Sequence, residues 1–190
     1  MKSLILNIEQ KKVLINIAQE TIENVVRGKN PANYDIKDHI LNMKCGAFVT
    51  LHLNKNLRGC IGNIVAEIPL WKTVRNMAKE SALNDPRFPP VSPAELKEIN
   101  IEISVLSPLE KILDINEIEV GTHGILIKHG FSQGLLLPQV AADYNWNRTQ
   151  FLEYTCRKAG LGTNCYKDKN CEIFIFSATV FDDKVLKEKI

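Results

Sequence analysis

Cys60 lies between two glycines and two positions after an arginine, in the run Leu57-Arg58-Gly59-Cys60-Ile61-Gly62. Glycine serves where backbone turns through positive φ or passes very close to another group. A thiol beside a fixed positive charge is one whose thiolate is favoured. On a regular strand Arg58 and Cys60 share a face. Cys60 is therefore the candidate catalytic residue, as nucleophile or redox centre, with Arg58 stabilising its thiolate or an anionic ligand. The competing reading is structural: a small hydrophobe in a strand where bulk is excluded.

Asp85 and Arg87 stand in Asp85-Pro86-Arg87-Phe88-Pro89-Pro90, a loop stiffened by three prolines. Two readings stay open. They present a carboxylate and a guanidinium to a polar substrate, or Asp85 caps backbone amides while Arg87 bridges carbonyls as a clamp of the loop itself. Gln139, after Pro138, is a ligand-binding candidate with both donor and acceptor groups; the alternative is that Pro138 only starts a helix. His123, beside Gly124 at the entrance to a strand, is a candidate ligand or base, against a plain turn residue. The histidines at 39, 52, 123 and 129 have no metal-ligand spacing, and Cys165 and Cys171 form no CxxC pair, so no metal site is expected. Neither a phosphate loop nor a dinucleotide fingerprint occurs, and no cofactor is assigned.

The elements that must position these residues can be read from caps and periodicity. Asn7 with Gln10 makes a helix cap, and Leu14, Ala18, Ile22, Val25 and Val26 follow at helical spacing until Gly28 and Pro31. Gly46 to Leu53 and Leu57 to Ile64 form a hairpin about the polar turn Asn54-Lys55-Asn56, with Cys60 on the second strand. A second helix follows Pro69, with Leu70, Val74, Met77, Ala78 and Ala82 as its buried stripe. Ser92-Pro93-Ala94-Glu95 caps a short helix, and Ile101, Ile103 and Val105 alternate in a strand. Gly124 to His129 and Leu135 to Leu137 make another hairpin, closed by residues 130–134. Asn147 with Gln150 caps a helix that Gly160 stops, and Glu172 to Phe181 reads as one strand.

Hairpin, helix and strand thus occur twice, over residues 46–107 and 124–181, at an offset of roughly 75 residues. One domain over 1–190 with two lobes sharing a sheet is expected. Its class is α+β, largely antiparallel, because the strands are mostly linked by hairpins. At the repeat offset the Gln139 segment corresponds to that of Cys60, which places the two on facing walls of a cleft between the repeats.

The hexapeptide at 57–62, Asp85 to Val91, Ile101 to Glu110, Gly134 to Val140 and Cys156-Arg157-Lys158-Ala159-Gly160-Leu161 resemble, in this order and over nearly the whole chain, the blocks of the AMMECR domain family. The resemblance implies an α+β fold with two β/α units on a barrel-like sheet flanked by helices. It also implies a setting beside a Memo-type protein and a radical SAM protein, the AmmeMemoRadiSam set, in a modification pathway. Two functions are consistent with this: a small-molecule-binding or catalytic component of that pathway, or a non-enzymatic adaptor that binds its protein members.

Composition limits the alternatives. A net charge of +2 and the absence of a basic stripe interleaved with aromatics argue against nucleic acid. No run approaches a membrane span, and Met1 to Leu6 turns polar at Asn7, too soon for a signal peptide. Five cysteines at scattered positions do not form a disulfide framework, so reduced thiols and a cytoplasmic location are expected. Lys184 to Lys189 reads as a solvated tail.

Overall fold

The computed structural model describes residues 4–187, which form two compact units. The larger takes residues 5–106 and returns from Thr179; the smaller takes 107–178 with Leu4. No helix among the described residues is long and apolar enough to cross a membrane.

The larger unit opens with α1 (Ile8–Val26). The Asn7 side chain accepts from the Gln10 amide and the Gln10 side chain accepts from the Asn7 amide, both at 2.9 Å. Strands β1 (Ala47–Leu53) and β2 (Asn56–Asn63) then form an antiparallel hairpin. Its two-residue turn holds Asn54 and Lys55 at positive φ, 51° and 67°, the hand that matches strand twist. Next come α2 (Leu70–Leu83), a 3-10 turn at Glu95–Lys97, and β3 (Ile99–Leu106) along the other side of β1. Leu14, Ile15 and Ala18 of α1, Leu70, Val74 and Ala78 of α2, and Val49, Leu51 and Ile103 of the sheet are buried together with 5% exposure or less.

In the smaller unit β4 (Glu110–Ile112) precedes the hairpin β5 (Gly124–His129) and β6 (Ser132–Leu136). A short α3 (Pro138–Asp143), α4 (Arg148–Lys158) and β7 (Glu172–Phe176) follow. Asn147 and Gln150 repeat the capping box of α1. The hairpin turns on Gly130 and Phe131 alone, so residues 132–134 belong to the strand rather than to a longer loop. Ile125, Ile127, Phe151, Leu152, Ile173 and Ile175 form the core.

The single strand expected over 172–181 is two strands. After Ser177 the chain leaves the smaller unit and forms β8 (Ala178–Asp182), which joins the larger unit's sheet beside β3. The sheets are therefore separate, in the orders β2-β1-β3-β8 and β4-β7-β5-β6. Every pairing of described register is antiparallel. This corrects the single shared, barrel-like sheet: among the described residues each sheet stays open, ending at β2 and β8 or at β4 and β6. The chain crosses twice, and the crossings are tied: the Ser107 amide donates to the Ser177 carbonyl, and the Ser177 amide donates to Ser107 Oγ, both at 2.9 Å. Part of the expected tail is ordered as a 3-10 turn, Asp183–Lys187; the remainder lies outside the described residues.

Candidate functional site

Cys60 lies on β2, one of the two edge strands of the larger sheet. An edge strand leaves a row of N–H and C=O groups without a ladder partner. Here side chains supply the partners. The Cys60 amide donates to Asp85 Oδ2 at 2.8 Å, and the Cys60 carbonyl accepts from Arg87 Nη2 at 3.1 Å. The adjacent Ile61 amide donates to Ser81 Oγ of α2, which itself donates to the Val49 carbonyl of β1 at 2.7 Å.

Asp85 and Arg87 form a fork-to-fork pair, Nε to Oδ1 at 2.9 Å and Nη2 to Oδ2 at 2.7 Å. The Arg87 amide adds a fourth donor to the same carboxylate at 3.1 Å. With its side chain only 2% exposed, Asp85 is held ionised, and these donors, the Arg87 guanidinium first, keep its carboxyl well below the usual carboxylate range. The loop turns back where it makes the clamp: the Phe88 amide donates to the Asp85 carbonyl at 3.1 Å, and the turn, with Pro86 at its second position, folds Arg87 back onto Asp85. The clamp of the second reading is present: Asp85 caps the Cys60 and Arg87 amides, and Arg87 reaches the Cys60 carbonyl. Arg87 nonetheless keeps a free side, with its side chain 52% exposed.

Arg58 does not serve the thiol. The register of β1 with β2 shifts between Leu51 and His52: Leu51 faces Gly59, His52 faces Leu57, and Arg58 is the extra residue. This bulge interrupts the alternation that sets Arg58 and Cys60 on one face. The guanidinium instead binds Glu95, Nε to Oε1 at 2.7 Å and Nη2 to Oε2 at 3.2 Å, and donates to the carbonyls of Pro89 and Pro90. Hydrogen bonds from Arg58 and from the Ser92 amide and hydroxyl push the Glu95 carboxyl down to about 2. The ring of Phe88 lies within reach of both guanidiniums, 6.0 Å from Arg58 and 5.5 Å from Arg87.

The glycines serve close approach rather than positive φ. A Cβ on Gly59 would strike the Ser81 carbonyl of α2, so glycine lets the helix lie on the strand. The half-buried Cys60 thiol accepts from Thr50 Oγ1, its cross-strand neighbour, at 3.3 Å.

The remaining candidates belong to the smaller unit. Gln139 is half-buried in the first turn of α3, which Pro138 does start. His123 staples a turn: its Nδ1 accepts from the Glu119 amide at 3.2 Å, and its own amide donates to the Glu119 carbonyl at 2.8 Å. Thus Arg58, Cys60, Asp85 and Arg87 are brought together in the larger unit, and Gln139 and His123 belong to the smaller. Two participants escaped sequence reading, Glu95 and Ser81. Glu95 was visible only as a cap, and Ser81 only as a polar residue on the packed face of α2.

The expectation of reduced thiols is corrected at one pair. Cys156, in the last turn of α4, is disulfide-bonded to Cys165, with Cα atoms 5.9 Å apart; Cys45, Cys60 and Cys171 are free.

Comparison with known proteins covers almost the whole chain. The family model AMMECR1 matches residues 15–181. Protein NEQ441 of Nanoarchaeum equitans is 39% identical over 180 residues, covering 90% of this chain and 98% of that one. A protein of Methanothermobacter thermautotrophicus is 39% identical over 191 residues, covering 96% and 99%. The crystal structure of uncharacterized protein PH0010 from Pyrococcus horikoshii superposes with a TM-score of 0.82 at 36% identity, covering 90% of each chain.

Proposed function

The chain belongs to the AMMECR1 family, and on that footing we propose that it is a non-enzymatic adaptor whose β2 edge and 85–90 loop dock a protein partner. The observation that carries this is that the acid and cation side chains around Cys60 hold the loop onto the strand edge. A general acid must keep a proton near working pH, whereas Asp85 and Glu95 are both held ionised. What this face offers outward is a rigid mixture of Leu57, 42% exposed, the half-buried Phe88 and the free side of Arg87. Arginine and aromatic residues on a preorganised surface are what protein interfaces use as anchors. The Memo-type and radical SAM proteins implied by the family resemblance are the partners to try first, and the cytoplasm is the compartment in which they would meet. Cytosolic disulfides are uncommon, so the redox state of Cys156 in cells bears on that compartment. Titration with each purified partner should give micromolar binding or better, weakened by Leu57→Asp. No association at micromolar concentration, together with turnover by the isolated chain, would overturn the adaptor.

The Thr50–Cys60 contact favours a second reading, a small-molecule or catalytic role centred on the thiol. A ligand in contact with Sγ would protect Cys60 from alkylation, and metabolite mixtures that leave the alkylation rate unchanged would count against it.

The proposal extends to the origin of the fold: the two units are copies of one hairpin–helix–strand element. In support, β2-β1-β3 and β6-β5-β7 have the same order and the same antiparallel sense. Gly59 and Gly134 each occupy the second hairpin strand, where a Cβ would strike a helix carbonyl, that of Ser81 or of Thr155. Each sheet takes its fourth strand from chain that has just left the other, β4 after β3 and β8 after β7.

A further inference from the structure

In the larger unit a groove of about 590 Å³ opens between the last turns of α1, the 3-10 turn at 95–97 with the start of β3, and the turn that follows β8. Its volume falls in the range of small-ligand sites, roughly 300–1,000 Å³. The floor is aliphatic: Ile22 and Ile101 are buried there, with Leu96 and Ile99 half-buried. The rim carries both signs of charge. Asp183 accepts from Asn100 at 3.3 Å, and Lys184 pairs with Asp182 at 2.8 Å. Glu23, Arg27 and Lys97 form no ion pair among the described residues. Glu23 and Arg27 stand one helical turn apart without pairing, and Glu23 Oε1 accepts only from Gln19 Nε2, at 3.4 Å, among the described residues.

We infer that this groove binds a short apolar peptide with free ends, its ammonium at Glu23, its carboxylate at Arg27 and Lys97, and its side chains on the aliphatic floor. Charge selects this class. A simple fatty anion would leave the Glu23 and Asp183 carboxylates on the rim facing it, and a simple cation would meet Arg27 and Lys97. A zwitterion with an apolar middle matches both signs of charge on the rim and the floor. The site is distinct from the docking face and does not depend on it, but the hexapeptide reaches it. Arg58 binds Glu95, and Glu95 opens the turn whose next two residues, Leu96 and Lys97, wall the groove. Arg58 is thereby a positioning residue for the groove.

Isothermal titration of the full chain with trileucine tests this. Saturable binding is expected, and N-acetyl-trileucine amide should bind roughly tenfold more weakly, because both charge-assisted contacts are gone. Arg27→Glu and Lys97→Glu, at exposed positions and with unchanged melting, should show a similar loss for trileucine and little change for the capped peptide. Arg58→Lys should weaken both peptides through Leu96, and trileucine the more, because Lys97 is displaced with it. The inference fails if trileucine does not bind at millimolar concentration, if the capped peptide binds as tightly, or if the two glutamate variants bind like the parent. An Arg58→Lys variant with parental affinity removes the positioning role.

Discussion

Replacing Asp85 with Asn separates a structural clamp from a substrate-facing carboxylate. All four groups that reach the Asp85 oxygens are donors: the Cys60 amide, the Arg87 amide, and Arg87 Nε and Nη2. They divide two to each oxygen, so an amide NH2 at either position sets a donor against two donors. Hydrogen bonds to a charged group contribute about 1.5–3 kcal/mol each. Arg87 is half exposed, so part of its loss is recovered by water, and the expected cost is about 2–3 kcal/mol rather than the sum. For a chain of this length that corresponds to a fall in Tm of roughly 5–10 °C. Urea unfolding followed by circular dichroism measures it, and if the units unfold in separate steps, only the larger unit's step should move. The pH dependence gives the sign. Because the folded-state pKa lies below the unfolded one, the contribution is complete above about pH 4 and is lost as pH falls further. The difference between parent and Asp85→Asn should therefore shrink below about pH 4. An Asp85→Asn chain within about 0.5 kcal/mol of the parent at neutral pH refutes the clamp. So would strict additivity with Arg87→Gln in a double-mutant cycle, since paired groups must couple.

Three further outcomes follow from the same contacts. Cys165→Ser opens a crosslink spanning nine positions, which chain entropy values at about 2.5 kcal/mol; thiol titration of the unreduced, denatured parent should give three free thiols, and five would remove the disulfide. Gly59→Ala drives a methyl into the Ser81 carbonyl and should cost about 1–3 kcal/mol by chemical denaturation, whereas Gly28→Ala, with open space around it but a positive φ of 74°, tests backbone conformation without the clash. Glu95→Gln should flatten the acid limb of the stability curve between about pH 4.5 and about 2, because the depressed Glu95 carboxyl stabilises the fold above that window and loses its effect as it protonates within it.

What could be read from sequence was what closes within a few residues. Asn7 with Gln10 and Asn147 with Gln150 bond three positions apart, and the hairpin turns fold back on themselves, so residue types were enough. Sheet membership was not local. Glu172 to Phe181 has the composition of one strand, and only the crossing at Ser177 divides it between two sheets. The disulfide was hidden because Cys156 and Cys165 have no motif spacing and meet only where the end of α4 turns back. The hexapeptide shows why a chemical reading goes astray. Two positions along a regular strand do share a face, but one extra residue at Arg58 cancels that, and the bulge leaves no mark in composition. The partners of Arg58, Asp85 and Arg87 were 25 to 37 residues away: Arg58 donates to Glu95 in the cap, while Asp85 accepts from the Cys60 amide and Arg87 donates to the Cys60 carbonyl. Polar residues on a strand that ends a sheet have a task before any chemistry, which is to close the edge. In this chain the Asp85–Arg87 pair does so for Cys60, while Ser81 bridges Ile61 to its β1 neighbour Val49, and that leaves the free side of Arg87, the Cys60 thiol and the groove beyond Glu95 as the places where function can reside.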